Sequence, residues 1–146
     1  MKRVSWLVLA ILALMPLVVA CAVDQRSDDG LPDYAYRSES ALKGYRTAVQ
    51  YRTLLKRLPC YCGCGKDPSF TNLADCFFNS QSDKQGEFNS HAANCAVCLE
   101  EAEDAAKWHE QGMSLAQIRQ SIDDKYRERG PATDTPAIAP GEEIVP

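Results

Sequence analysis

The sequence has no excess of positive charge: Lys plus Arg total 16 against 20 for Asp plus Glu, a net charge of −4. A nucleic-acid surface needs a basic excess to displace counterions from phosphates, so the balance argues against that partner. There is no Walker loop, no dinucleotide fingerprint and no Gly-x-Ser-x-Gly elbow, which makes nucleotide enzymes and serine hydrolases poor assignments. Apolar runs are short. The longest, Trp6 to Ala20, has about 15 residues where a membrane-spanning helix needs about 20. Strand signals are weak throughout, and His91 and His109 are the only histidines. A length of 146 residues allows one domain. Against these absences stand seven cysteines. That is about 5%, below the ~8–10% of a disulfide-only miniprotein but more than a reducing cytosol keeps without purpose. Whatever chemistry the chain carries belongs to sulfur.

The start of the chain reads as an address. Lys2 and Arg3 give a positive beginning, Trp6 to Ala20 is uncharged and apolar, and Val18-Val19-Ala20-Cys21 follows. A charged segment, a short apolar segment and a small residue before the cut describe a secretory signal. The end of this segment resembles the bacterial lipoprotein signal, or lipobox. That resemblance implies cleavage after residue 20, with Cys21 as the first mature residue carrying a diacylglyceryl thioether and usually an amide-linked acyl chain, palmitate or a similar acid. Each buried methylene contributes ~0.8 kcal/mol, so two or three chains anchor firmly where one does not. Loss of Lys2 and Arg3 leaves 14 basic against 20 acidic residues, a balance of −6. Anionic headgroups repel that charge, so acylated Cys21 is the expected partner of membrane lipid. The expected location is the extracytoplasmic face of a bacterial membrane.

The expected organisation is a signal peptide over 1–20, lipidated cysteine and flexible tether over 21–38, a folded domain over 39–130, and a disordered tail over 131–146. Ser27, Asp28, Asp29, Gly30 and Pro32 break any periodicity in the tether, and four prolines mark the tail. Three segments have helical period. The first spans about Ser40 to Leu58, with Tyr45, Ala48, Val49, Arg52, Leu55 and Leu58 on a stripe and Pro59 as the stop. The second spans about His91 to Gln111, with Asn89 or Ser90 as N-cap and Gly112 as terminator. The third spans Ser114 to about Arg129, with Ser114 and Gln117 as a capping box and Leu115, Ile118, Ile122 and Tyr126 as its apolar stripe. Leu73 to Phe78 reads as a short helical turn. The expected fold is all-α: a small domain of about three main helices ending in a helical hairpin around Gly112-Met113.

Two cysteine clusters stand out. In Pro59-Cys60-Tyr61-Cys62-Gly63-Cys64-Gly65, three cysteines alternate, and the glycines allow the backbone to turn through positive φ so that the thiols converge. Cysteines two apart rarely bond to each other because the ring is strained; they can share one soft metal, or each can pair with a distant cysteine. In the second cluster, His91, Cys95 and Cys98 fall at about 0°, 40° and −20° around a helix turning ~100° per residue. A helix start also favours thiolate, which serves metal binding and thiol exchange alike. Soft thiolates with one imidazole suit Cu(I) or Zn(II). Cys76, in an apolar setting, is a further candidate ligand, a disulfide partner, or a small buried hydrophobe. His109 shares the face but lies ~27 Å along it at ~1.5 Å per residue, so it is left out of the site. Trp108 reads as core, and Glu100-Glu101 with Glu103-Asp104 as a solvated face.

Pro59 to Cys64, Asp75-Cys76-Phe77, the His91…Cys95-x-x-Cys98 segment and Ile118-Arg119…Ile122-Asp123…Tyr126 together resemble a family of bacterial lipoproteins named for its PCYCGC motif. The resemblance covers roughly Leu58 to Tyr126 and implies a location and a cysteine pattern rather than a mechanism. Members often carry a histidine between the motif and the Asp-Cys pair; this chain has Lys66 to Thr71 there and none. A fainter similarity links the Leu-x-Cys start and the helical hairpin to membrane-attached thiol reductases of cytochrome c maturation. Those have Cys-x-x-Cys after the first helix, so the likeness bears on fold alone.

Three readings follow for Cys60, Cys62, Cys64, His91, Cys95 and Cys98, with Cys76 as an additional member. The first is a soft-metal site, copper before zinc, for handling metal or delivering it to a metal-receiving protein. The second is thiol–disulfide exchange with a redox partner, although no thioredoxin-like pattern surrounds Cys95-x-x-Cys98. The third is a disulfide-stabilised interaction module, for which six thiols allow fifteen connectivities. No residue is assigned a catalytic role, and an enzyme is less expected than a binding protein.

Overall fold

The computed structural model describes residues 29–79 and 87–144. The signal segment, Cys21 and the tether up to residue 28 lie outside the described residues. Four α-helices follow in order: α1 (Glu39–Gln50), α2 (Arg52–Leu55), α3 (Ala96–Glu110) and α4 (Leu115–Tyr126). Single 3-10 turns occupy Asp33–Arg37, Cys64–Lys66, Leu73–Cys76 and Ala92–Asn94. Pairing of extended chain is confined, among the described residues, to one isolated antiparallel bridge between Phe78 and Phe88. The domain is all-α, as the hydrophobic periods predict. No helix among the described residues is long and apolar enough to cross a membrane.

The first predicted helix is two pieces. Ser38 caps α1, its Oγ accepting the Ala41 N–H at 3.1 Å. At Tyr51 the backbone leaves helical geometry, with φ −111° and ψ 25°. The Tyr51 hydroxyl there donates to Glu110 of α3 at 2.7 Å, so a tertiary contact coincides with the break. Leu54, Leu55 and Leu58 beyond it are still buried. Val49, placed on the apolar stripe by spacing, is instead 51% exposed. The buried face of α1 centres on Tyr45. Its ring meets Tyr34, Phe77 and Phe88 edge-on with centroids 5.7, 5.3 and 6.0 Å away, and its hydroxyl donates to the Asn89 carbonyl. Such ring pairs contribute about 0.5–1.5 kcal/mol each beyond the area they bury. One side chain thus ties α1 to both segments that carry the later cysteines.

The predicted hairpin of α3 and α4 is present. Gly112, at φ +80°, reverses the chain after α3. Ser114 opens α4 with the expected capping box: its Oγ accepts the Gln117 N–H at 3.3 Å, and Gln117 Oε1 accepts the Ser114 N–H at 2.9 Å. Leu115, Ile118, Ile122 and Tyr126 are buried with Ala102, Ala105 and Ala106 of α3. The Tyr126 hydroxyl donates to Asp104 at 2.6 Å, so the hairpin is fastened at its open end by a polar contact.

The packed part extends past both ends of the 39–130 span expected from composition. Ala35, in the Asp33–Arg37 turn, is fully buried, and Arg46 of α1 bonds Asp29 at 3.0–3.1 Å. After Gly130 the chain has neither helix nor strand up to residue 144, yet Thr133 and Thr135 are buried and Ile138 packs on the core. Arg57 pairs with Glu142 at 2.5 Å. Composition, which expects disorder from residue 131, does not register these contacts.

The capping box gives a direct test of the hairpin. Ser114→Ala removes the acceptor for the Gln117 N–H and is expected to cost about 1 kcal/mol, measured by urea unfolding of the reduced protein. An unchanged midpoint would show that α4 is held by its apolar stripe alone.

Candidate metal centre

The Pro59–Cys64 loop leaves the end of α2 and is held in place by main-chain bonds. The Leu58 carbonyl accepts the Leu73 N–H at 2.8 Å, joining the start of the loop to the turn that carries Cys76. The Cys60 N–H donates to Thr133 Oγ1 at 3.0 Å, and the Thr133 N–H donates back to the Cys60 carbonyl at 3.0 Å. The Tyr61 N–H donates to Glu101 Oε1 at 2.9 Å, and the Tyr61 hydroxyl reaches Asp123 at 2.8 Å. Gly63 stands at φ +83°, a conformation side chains disfavour. It turns the chain so that Cys64 begins a 3-10 turn on the same side as Cys60 and Cys62. Gly130 lies against this loop: a Cβ there would come within 2.8 Å of the Tyr61 carbonyl oxygen and 3.2 Å of Gly63 N.

Cys76 is placed by its neighbour. Asp75 is buried, and its Oδ2 accepts from the Thr71 N–H, the Thr71 hydroxyl and the Asn72 N–H at 2.8, 2.9 and 3.1 Å. Three donors on one carboxylate oxygen fix the 3-10 turn Leu73–Cys76. The Asn89 side chain donates to the Asp75 carbonyl at 3.0 Å, and Asn89 Oδ1 accepts the His91 N–H at 3.0 Å. One asparagine therefore spaces the Cys76 turn from the His91 turn.

The second cluster departs from the helix predicted for it. His91 precedes a 3-10 turn over Ala92–Asn94, Cys95 is extended at φ −127° and ψ 100°, and α3 begins only at Ala96. Cys95 thus occupies the N-cap, a position that takes non-helical backbone. His91, Cys95 and Cys98 do converge, but through this break rather than along one helix face. The His91 ring also packs on Phe70, centroids 4.9 Å apart.

All seven predicted metal-site residues come together. The donor atoms of Cys60, Cys62, Cys64 and Cys76 lie within 4.8 Å of one another, and so do those of Cys62, His91, Cys95 and Cys98. Cys62 belongs to both sets. The pairs Cys60–Cys98 and Cys64–Cys76 have Sγ···Sγ distances of 3.6 and 3.8 Å, and Cys62 Sγ lies 3.4 Å from His91 Nε2. A disulfide needs about 2.05 Å; the six described cysteines are free thiols. Ligands at ~2.3 Å (S) and ~2.0 Å (N) on a tetrahedral ion stand ~3.8 Å (S···S) and ~3.5 Å (S···N) apart. Within the two sets, the Cys64–Cys76 and Cys62–His91 spacings are therefore those of ligands on one soft metal ion. His109 stands elsewhere, its ring edge-on to Tyr51 at 5.8 Å.

Crowding divides the thiols electrostatically. Cys62 is held far below the ordinary thiol range, first by a hydrogen bond from Cys60, then by those from Cys64, Cys76 and Cys95. Cys60 and Cys76 are pushed up, Cys60 chiefly through its bond to Cys62 and Cys76 chiefly through its bond to Cys60. The cluster thus favours thiolate at one position and leaves protons at its neighbours for a metal to displace.

Glu101 stands in a run of acids that reads as a solvated face, but its side chain is fully buried. Burial pushes its pKa up to about 8, against the opposing pull of the Cys60 thiol and the Tyr61 N–H. Its Oε2 has no hydrogen-bond partner among the described residues. The signal was in the spacing: Cys98, Glu101 and Ala105 stand three and four apart on the buried face of α3. Glu101 is the residue through which α3 grips the cysteine loop.

These features define a Cys/His-rich candidate metal centre in a small helical domain. A family model described as a protein of unknown function with PCYCGC motif matches residues 17–139, and the chain belongs to that family. No curated protein and no solved structure matches the chain.

The contact between Thr133 and Cys60 can be tested alone. Thr133→Val keeps the shape but removes the acceptor for a buried N–H, at an expected cost of about 1–3 kcal/mol. Alkylation of Cys60, followed by peptide mass spectrometry, should become faster than in the parent protein. Equal rates would mean that the loop holds its position without the tail.

Proposed function

We propose that the protein is a membrane-anchored, extracytoplasmic carrier of a soft metal ion, copper before zinc, which it handles or delivers to a receiving protein. The observation that carries this reading is the convergence of six thiols and one imidazole into two four-donor sets. Thiolate-rich ligation favours soft ions, which ranks Cu(I) first, and a set of four Cys and His donors suits Zn(II) as well. In the set containing His91, three of the four residues are half-exposed, against two in the all-cysteine set. That side is the better entry and exit for an ion passed between proteins. Anchoring rests on the lipobox resemblance at Val18–Cys21 and on the short apolar segment before it.

The deciding experiment uses the mature protein purified without oxygen. Six free thiols should be counted, and titration with Cu(I) or with Zn(II) should protect them while mass spectrometry records bound metal. Six oxidised cysteines with no metal uptake after gentle reduction would overturn the proposal. His91→Ala and Cys95→Ser should each weaken binding by at least about tenfold, since even the outer partners of metal ligands are worth that much. Thiol–disulfide exchange is the second reading and draws on the half-exposed, readily ionised Cys62. It requires turnover of a mixed disulfide and indifference to His91→Ala.

The anchor is tested separately in bacteria fed a tagged fatty acid. The label should enter the full-length chain and disappear in Cys21→Ser, with the variant released from the membrane fraction. A Cys21→Ser protein that is still labelled would show that the lipid is attached elsewhere.

A further inference from the structure

The two donor sets share one atom. Cys62 Sγ lies within 4.8 Å of the other five thiols and of the His91 ring nitrogen, and no other residue is common to both sets. Two separate four-coordinate ions need eight donors, and the centre has seven. We propose that the site holds two soft metal ions bridged by the Cys62 thiolate: one bound by Cys60, Cys64 and Cys76, the other by His91, Cys95 and Cys98. This rests on the metal-binding function proposed above and fixes its stoichiometry and architecture.

The geometry suits a bridge. A thiolate sulfur has lone pairs for two cations, and two ions at ~2.3 Å from it with a near-tetrahedral angle stand ~3.8 Å apart, a spacing typical of two-metal sites. The sets already touch elsewhere, with Cys60 and Cys98 only 3.6 Å apart, so neither ion needs the protein to open between them. Cys62 projects from the glycine-turned loop to within 3.4 Å of the His91 ring nitrogen. Its neighbours Cys60 and Cys64 belong to one set only. Binding moves no electrons: each protonated cysteine that becomes a ligand gives its proton to the buffer and forms a metal–sulfur bond. The two positions differ in kind, one ringed by four sulfurs and the other by three sulfurs and a nitrogen.

Cadmium(II) enriched in the spin-active 113 isotope serves as the probe, added to the reduced mature protein. The expected result is two ions per chain and two NMR resonances, the all-sulfur one further downfield, each split by the other through the shared sulfur. His91→Ala should bind one ion and retain only the all-sulfur resonance. Cys76→Ser should bind one ion and retain only the mixed one. Cys62→Ser should abolish the splitting; circular dichroism checks that it is folded, and the other two variants test the bridge without it. One ion per chain in the parent protein, or two resonances without mutual splitting, would overturn the bridge while leaving metal binding intact. No bound cadmium at all would overturn the bridge and the proposed function together.

Discussion

The cysteine loop begins at Cys60 and Tyr61, and there its main chain is held by two residues far along the sequence. Thr133 exchanges a pair of hydrogen bonds with Cys60, and Glu101 takes the N–H of the next residue, Tyr61. Six sulfurs within a few ångströms are a poor core for a domain this small: they bring little apolar area and, when ionised, repel one another. Cys98 lies in the first turn of α3, but the other candidate ligands stand on turns and extended chain. Their backbone polar groups lack a continuous helical ladder, and side chains satisfy several of those that main-chain bonds leave open. Thr133 does so at Cys60 and Asn89 at His91, while Glu101 serves the Tyr61 N–H beside Cys60 and Asp75 the Thr71 and Asn72 N–H groups ahead of Cys76.

Much of this was legible in the sequence. The hairpin could be read from Gly112, Ser114, Gln117 and the Leu115-to-Tyr126 stripe, because caps and periodic burial are local rules and nothing distant overrides them here. The seven candidate ligands could be read from residue type and clustering. The route by which they meet could not. A uniform helix from His91 gives the right convergence for the wrong reason: the bond from His91 N–H to Asn89 and the extended Cys95 bend the chain before α3 begins. The same failing broke the first helix at Tyr51, where a contact with Glu110 coincides with departure from the regular pattern.

The polar residues were the least legible. Glu101 sits in a run of acids, and composition assigns such runs to solvent; only its spacing from Cys98 and Ala105 places it inward. Thr133 and Thr135 lie among prolines, where no periodicity exists to reveal that their hydroxyls bond each other at 2.9 Å and that Thr135 reaches the Thr71 carbonyl at 2.6 Å. Local pattern finds elements that bury apolar stripes. It does not find a side chain whose purpose is to answer a distant backbone group.

The bond between Cys60 and Thr133 spans 73 positions of sequence and encloses both helices of the hairpin. A chain made from its N-terminus exposes the three cysteines of the loop long before their fastening arrives, and closing so long a loop carries an entropic cost that only a nearly finished domain repays. The two hairpin helices, which lie between, can form first and from local contacts. The hydrogen bonds that fasten Cys60 therefore wait until the segment around Thr133 has been made, after every cysteine of the centre.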